Sequence, residues 1–146
     1  MVSSGAGAGL VERIAERRAG LGDPAELLAA VRRTVLLVPL EGGGLWTARW
    51  GGVRWVCAFT DEAALARFAL RHGSGDESWE FAALLGERLL DEIVPAMGEA
   101  AGLVVDVATP DGAMVFPPVA GVVPDEAAVD AGEGGIGQEG GGHGQW

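Results

Sequence analysis

The most constraining stretch of this chain is Leu45-Trp46-Thr47-Ala48-Arg49-Trp50-Gly51-Gly52-Val53-Arg54-Trp55-Val56-Cys57-Ala58-Phe59-Thr60. Two arms rich in aromatic and β-branched residues flank a Gly-Gly pair, and adjacent glycines accept the positive φ angles of a two-residue hairpin turn. With the turn at Gly51-Gly52, Trp50 faces Val53, Arg49 faces Arg54, Ala48 faces Trp55 and Trp46 faces Cys57. Strand alternation then collects Trp46, Trp50, Trp55, Cys57 and Phe59 on one side. Burying one Trp removes about 150–250 Å² from water, on the order of 4–6 kcal/mol of gross burial. That side is therefore expected to be core, and the side bearing Arg49 and Arg54 to be polar.

Around this ribbon the pattern alternates between the helical and strand periods. Asp23-Pro24-Ala25-Glu26 starts a helix with a capping carboxylate and a proline in the first turn, and Leu27, Leu28 and Val31 form its apolar face. Thr34 to Leu40 reads as a buried strand, with Pro39 confined to its end or to a sheet edge. Thr60-Asp61-Glu62 opens a second helix with a hydroxyl cap; Leu65, Phe68, Ala69 and His72 follow at helical spacing and Gly73 closes it. Ser74 to Glu77 is a loop, and Trp79 and Phe81 alternate as a short strand. Leu85, Leu89, Leu90, Ile93, Val94 and Met97 are the stripe of a third helix, which Pro95 ends or kinks. Leu103 to Ala108 and Ala113 to Phe116 make a final hairpin around Pro110-Asp111-Gly112. The expected fold is a single α+β domain: a mostly antiparallel or mixed sheet of about five to six strands with one face covered by about three helices.

The flanks differ in composition. Residues 1–22 form an N-terminal arm with a weakly docked helix through Leu10, Val11 and Ile14; residues 23–118 hold the domain; residues 119–146 are expected to be a disordered, acidic, Gly-rich tail. Across 146 residues the net charge is −11, which repels phosphate and argues against nucleic acid and anionic membrane as partners. Apolar runs such as Val35 to Val38 are far shorter than the ~20 residues of a membrane span. No secretory leader is read at the start, so a cytoplasmic location is expected. All ten cations are arginine, which excludes mechanisms that need a lysine of this chain.

Few residues carry candidate chemistry. Cys57 falls on the apolar side, where a thiol is neutral and inert. His72 reads as a helix-end histidine without a catalytic partner. His143 lies in the tail, and no Cys/His pair has metal-ligand spacing, so neither a metal nor another cofactor is expected. Asp76, Glu77 and Glu80, and Asp91 with Glu92, are solvated acids without the spacing of a calcium loop. Gly132 to Gly137 satisfies G-x-G-x-x-G only literally, because no strand precedes it and no helix follows. Asp106 interrupts an apolar strand and requires a donor, a salt link to arginine being the simplest. The Arg49/Arg54 pair is the candidate binding site. Like charges directly opposed across a hairpin are unfavourable unless an anion lies between them. That anion is either an acidic ligand or partner, or an internal acid such as Glu41, Glu80 or Asp106; otherwise the pair is simply solvated.

Val38-Pro39-Leu40, Trp50-Gly51-Gly52-Val53-Arg54, Ala58-Phe59-Thr60-Asp61-Glu62 and Ala66-Arg67-Phe68 resemble the SseB N-terminal-domain family, bacterial proteins named after an enhanced-serine-sensitivity phenotype. Leu84-Leu85-Gly86, Asp91-Glu92 and Phe116-Pro117-Pro118 resemble its actinobacterial branch, and the resemblance spans roughly residues 27 to 118. It implies a small α/β domain without an established catalytic residue, cofactor or substrate. The function expected is a non-catalytic cytoplasmic module that binds an unidentified protein through the Arg49/Arg54 face or an exposed strand edge. The alternative is a binding domain for a small anionic metabolite at that pair, and an enzyme using Cys57 or His72 ranks last.

Overall fold

Residues 4–72 and 79–130 are described by the structure, a computed structural model. In chain order they form α1 (Ser4–Arg18), α2 (Pro24–Arg33), β1 (Val35–Glu41), β2 (Gly44–Leu45), β3 (Thr47–Trp50), β4 (Val53–Ala58) and α3 (Glu62–Arg71). After these come β5 (Phe81–Leu85), α4 (Gly86–Arg88), which runs on into a π-helical turn (Leu89–Ile93) and a 3-10 turn (Pro95–Met97), β6 (Ala101–Val105) and β7 (Met114–Phe116). The fold is a single small α+β domain. Its strands make two sheets, ordered β2-β1-β5 and β3-β4-β6-β7.

The hairpin forms in the expected register. Gly51 and Gly52 take φ of 66° and 80°, and Trp50 pairs with Val53, Arg49 with Arg54 and Ala48 with Trp55. Beyond the ribbon, β4 pairs in parallel with β6, so this sheet is mixed. A two-way backbone bridge between Leu37 and Phe59, at 2.9 and 2.8 Å, joins the two sheets.

Parallel pairing places β4 and β6 inside, and both of their faces are covered. On one side Trp55, Cys57, Phe59 and Val104 pack against Leu65 and Phe68 of α3, with Trp46 and Trp50 half-buried at the margin. On the other, Val56, Ala58, Leu103 and Val105 meet Leu36 and Val38 of β1, α1, α2 and the helical segment after β5. The tryptophan side is thus a core, as expected. The opposite side is not the polar face expected: it becomes the larger core two residues beyond Arg54, because Val56 and Ala58 share the arginine's side of β4. Helices consequently cover both faces rather than one.

Several elements differ from their expected form. The helix of the N-terminal arm is not weakly docked: Leu10 and Ile14 are 0% and 1% exposed, while Val11 faces solvent. The stretch expected to begin the disordered tail is structured as far as Asp130. Val123 is buried, and a 3-10 turn spans Asp125–Ala127. Both segments contribute to the larger core, through Leu10 and Ile14 on one side and Val123 on the other. Pro39 lies inside β1, the central strand of its sheet, instead of at an end or edge. It is tolerated because odd-numbered residues of β1 turn their backbone groups away from β5, and at Pro39 only the carbonyl is used, accepting from the Trp46 amide at 2.8 Å. Leu85 ends β5 rather than starting the third helix; an all-apolar Phe-Ala-Ala-Leu-Leu run fits either period. The Gly73 stop, the Ser74–Glu77 loop with Asp76 and Glu77, the glycine run 132–137 and His143 fall outside the described residues.

Replacing Leu10 by Ala is expected to lower stability in urea unfolding by about 2–5 kcal/mol, the range for emptying a filled core position, whereas Val11→Ala changes it by less than about 0.5 kcal/mol. Equal, small effects would mean that α1 does not belong to the core.

Candidate functional site

Arg49 and Arg54 stand opposite one another on β3 and β4, and an acid does lie between them. It is Glu99, from the turn preceding β6, rather than Glu41, Glu80 or Asp106. Arg49 donates through Nη1 at 2.7 Å and Nη2 at 3.0 Å to the two carboxylate oxygens, and Arg54 through Nε at 2.8 Å. Arg54 Nη1 also donates to Thr47 Oγ1 at 2.9 Å. Hydrogen bonds from Arg49 and then Arg54 hold the Glu99 carboxyl below the ordinary carboxylate value. The like-charge conflict seen in the sequence is therefore resolved within the chain, and the position of the postulated acidic ligand is occupied by Glu99. Sequence reasoning missed this residue because parallel β4–β6 pairing, with Arg54 opposite Ala101, is what carries Glu99 to the hairpin.

Asp106 is 3% exposed and finds its donors on the loop before α3, not on an arginine. Its carboxylate accepts from the Thr60 amide and hydroxyl, both at 2.8 Å. Desolvation raises its pKa, and the Thr60 bonds oppose that shift without cancelling it. Thr60 is consequently not the helix cap expected; Asp61 takes that role, accepting from the Ala64 amide at 2.9 Å. Asp106 also adopts a left-handed φ of 55°, which Asp tolerates better than most residues. Removing this carboxylate would leave a buried amide unpaired, at a cost of about 1–3 kcal/mol.

Cys57 is the core thiol expected, 1% exposed, and burial pushes it up to about 12. His72 caps the C-terminus of α3, and its ring packs tilted against Phe68 at 4.4 Å and edge-on against Trp46 at 5.4 Å between centroids. Both residues line one hollow of about 320 Å³ together with Trp46, Ala48, Phe68, Arg71, Val107 and Ala108. A thiol with so high a pKa supplies no thiolate near neutral pH.

A feature of another kind lies at β5. Its only strand partner among the described residues is β1. Ladder bonds at Leu40–Glu80 and Gly86–Thr34 set the phase, so that Phe81, Ala83 and Leu85 aim their N–H and C=O groups away from β1. These three residues are also the exposed ones, Phe81 at 39% and Leu85 at 40%, and Val35 beside them is 40% exposed.

Compared with protein-family models, curated proteins and solved structures, the chain matches none of them. No described helix is long and apolar enough to cross a membrane.

The carboxyl of Glu99 has a lowered folded-state pKa, so its contribution to stability is present above its unfolded value, ordinarily 4.5, and is lost as pH falls through the folded one. Asp106, raised from 3.8, has the opposite sign: its contribution is greatest at low pH and fades as pH rises through its folded value. The stability difference between the native chain and Glu99→Gln should accordingly shrink as pH is lowered from about 6 to about 3. Urea midpoints measured across that range check it, and a difference independent of pH would mean that the clamp carries no charge-dependent energy. Cys57 should resist a polyethylene-glycol maleimide at neutral pH and react fully in denaturant; rapid native labelling would contradict its burial.

Proposed function

We propose that the chain is a non-catalytic cytoplasmic module of the SseB N-terminal-domain type that binds another protein, and that the partner adds an extended segment to the outer edge of β5. The observation that carries this reading is the edge itself: five apolar residues, without a charge or a proline, whose outward backbone groups pair with no described strand. Natural edges are normally blunted by charge, proline or shortness, and an unblunted one is a template for an added strand. The remaining edges of the described sheets are blunted. β2 has two residues, β3 carries Arg49, and β7 has three residues and runs into Pro117-Pro118.

The chemistry of the partner follows from the surroundings. Alternate apolar side chains would meet Phe81, Ala83, Leu85 and Val35, while Glu80 and Glu87 on the flanks and the net charge of −11 favour a segment bracketed by Lys or Arg. The metabolite reading at Arg49 and Arg54 is weaker because Glu99 already accepts their hydrogen bonds. The unreactive Cys57 thiol supports a role without nucleophilic catalysis, and an unpaired thiol suits a reducing compartment.

The test is to select displayed peptides on the full chain and follow backbone amides by hydrogen exchange. In the free chain the amides of Phe81, Ala83 and Leu85 should exchange faster than those of Ala82 and Leu84. A selected peptide should slow the three outward amides, and Ala83→Lys should abolish binding while leaving the circular dichroism unchanged. Peptides that protect a different surface, or that still bind Ala83→Lys, would overturn the reading.

A further inference from the structure

The hollow at the C-terminal end of α3 combines an apolar, aromatic wall with basic groups at its rim. Its walls are apolar and aromatic, from Trp46 of the hairpin, Phe68 of α3 and Val107 beyond β6, and the floor includes the buried Cys57. Among the described residues, its only charged or ionisable lining groups besides that thiol are basic: Arg71 and His72, both exposed. Among the described residues no acid lines it, and Arg71 makes no ion pair with any of them. At about 320 Å³ it lies at the small end of ligand cavities, roughly 300–1,000 Å³, which suits a body of one or two rings.

We infer that this hollow is a binding site for a small aromatic carboxylic acid, with its rings against the wall that Trp46 and Phe68 form together and its carboxylate at Arg71. The edge-on packing of Trp46 against Phe68, at 5.1 Å and 83°, holds one wall in place, so little ordering is needed when the ligand enters. The guanidinium of Arg71 offers a planar pair of donors to a carboxylate. The helix end brings a partial negative charge that opposes an anion, and the Arg71 cation outweighs it. This site is separate from the β5 edge and stands or falls independently of it.

The experiment uses the full ¹⁵N-labelled chain with two probes of equal shape, 2-naphthoate and the neutral 2-naphthamide. Saturable shifts are expected at Trp46, Cys57, Phe68, Arg71, His72 and Val107, with the acid bound roughly fivefold more tightly than the amide. Arg71→Gln should remove that preference and leave amide binding in place. Ala48→Phe, which fills the hollow from the half-buried face of β3, should abolish binding of both probes; if that chain lost its dispersed spectrum, Val107→Trp on the opposite wall would replace it. Equal affinity for acid and amide, shifts elsewhere on the domain, non-saturating shifts, or binding that survives the filled cavity would each overturn the inference.

Discussion

Parallel pairing of β4 with β6 is the interaction on which the rest of this structure depends. It creates two adjacent strands buried on both faces, and therefore two cores that share one wall. The pairing requires a glycine at one point. Trp55 lies beside Gly102, where an added Cβ would sit 2.6 Å from the indole Cζ3 and 2.7 Å from the Phe116 carbonyl oxygen. With hydrogen in that place, the largest side chain of β4 closes over the backbone of β6, and no other residue type allows so near an approach.

The same pairing settles the polar groups at both of its ends. At the start of β4, Arg54 opposite Ala101 draws Glu99 into the two guanidinium groups. At the far end, Ala58 opposite Val105 brings Asp106 to Thr60, and the Asp106 amide donates to the Ala58 carbonyl at 2.9 Å. One carboxylate is half-exposed and favoured as the anion; the other is buried and pays a desolvation penalty that its hydrogen bonds only partly offset. Together they consume the charged residues that looked most like functional chemistry. The two surfaces proposed above for recognition, the backbone of one sheet edge and an aromatic hollow with basic groups at its rim, lie apart from both carboxylates.

The resemblance motifs take on a physical meaning in this light. Ala58-Phe59-Thr60-Asp61-Glu62 is the joint between β4 and α3. Within five residues it supplies the bridge to Leu37, the donors to Asp106 and the cap of α3. Trp50-Gly51-Gly52-Val53-Arg54 is the turn that sets the hairpin register. Such residues are constrained by local geometry, so each has a structural role here and none of them by itself reports an activity.

Wherever the deciding interactions are close in the chain, the sequence by itself determined the outcome. The Gly51-Gly52 turn, the pairing of Arg49 with Arg54, the shared side of Trp46, Trp55, Cys57 and Phe59, the Asp23-Pro24 helix start and the burial of Cys57 all follow from neighbours within about a dozen residues and from fixed strand and helix periods. Only the tertiary structure decided that Glu99 is the counter-ion, that Thr60 rather than an arginine holds Asp106, that Leu10 and Val123 complete a core, and that no described strand pairs with the outer edge of β5. Each of these depends on which distant strands lie side by side. Periodicity reports which face of a strand is apolar, but the identity of its neighbour is settled by the packing of the whole chain.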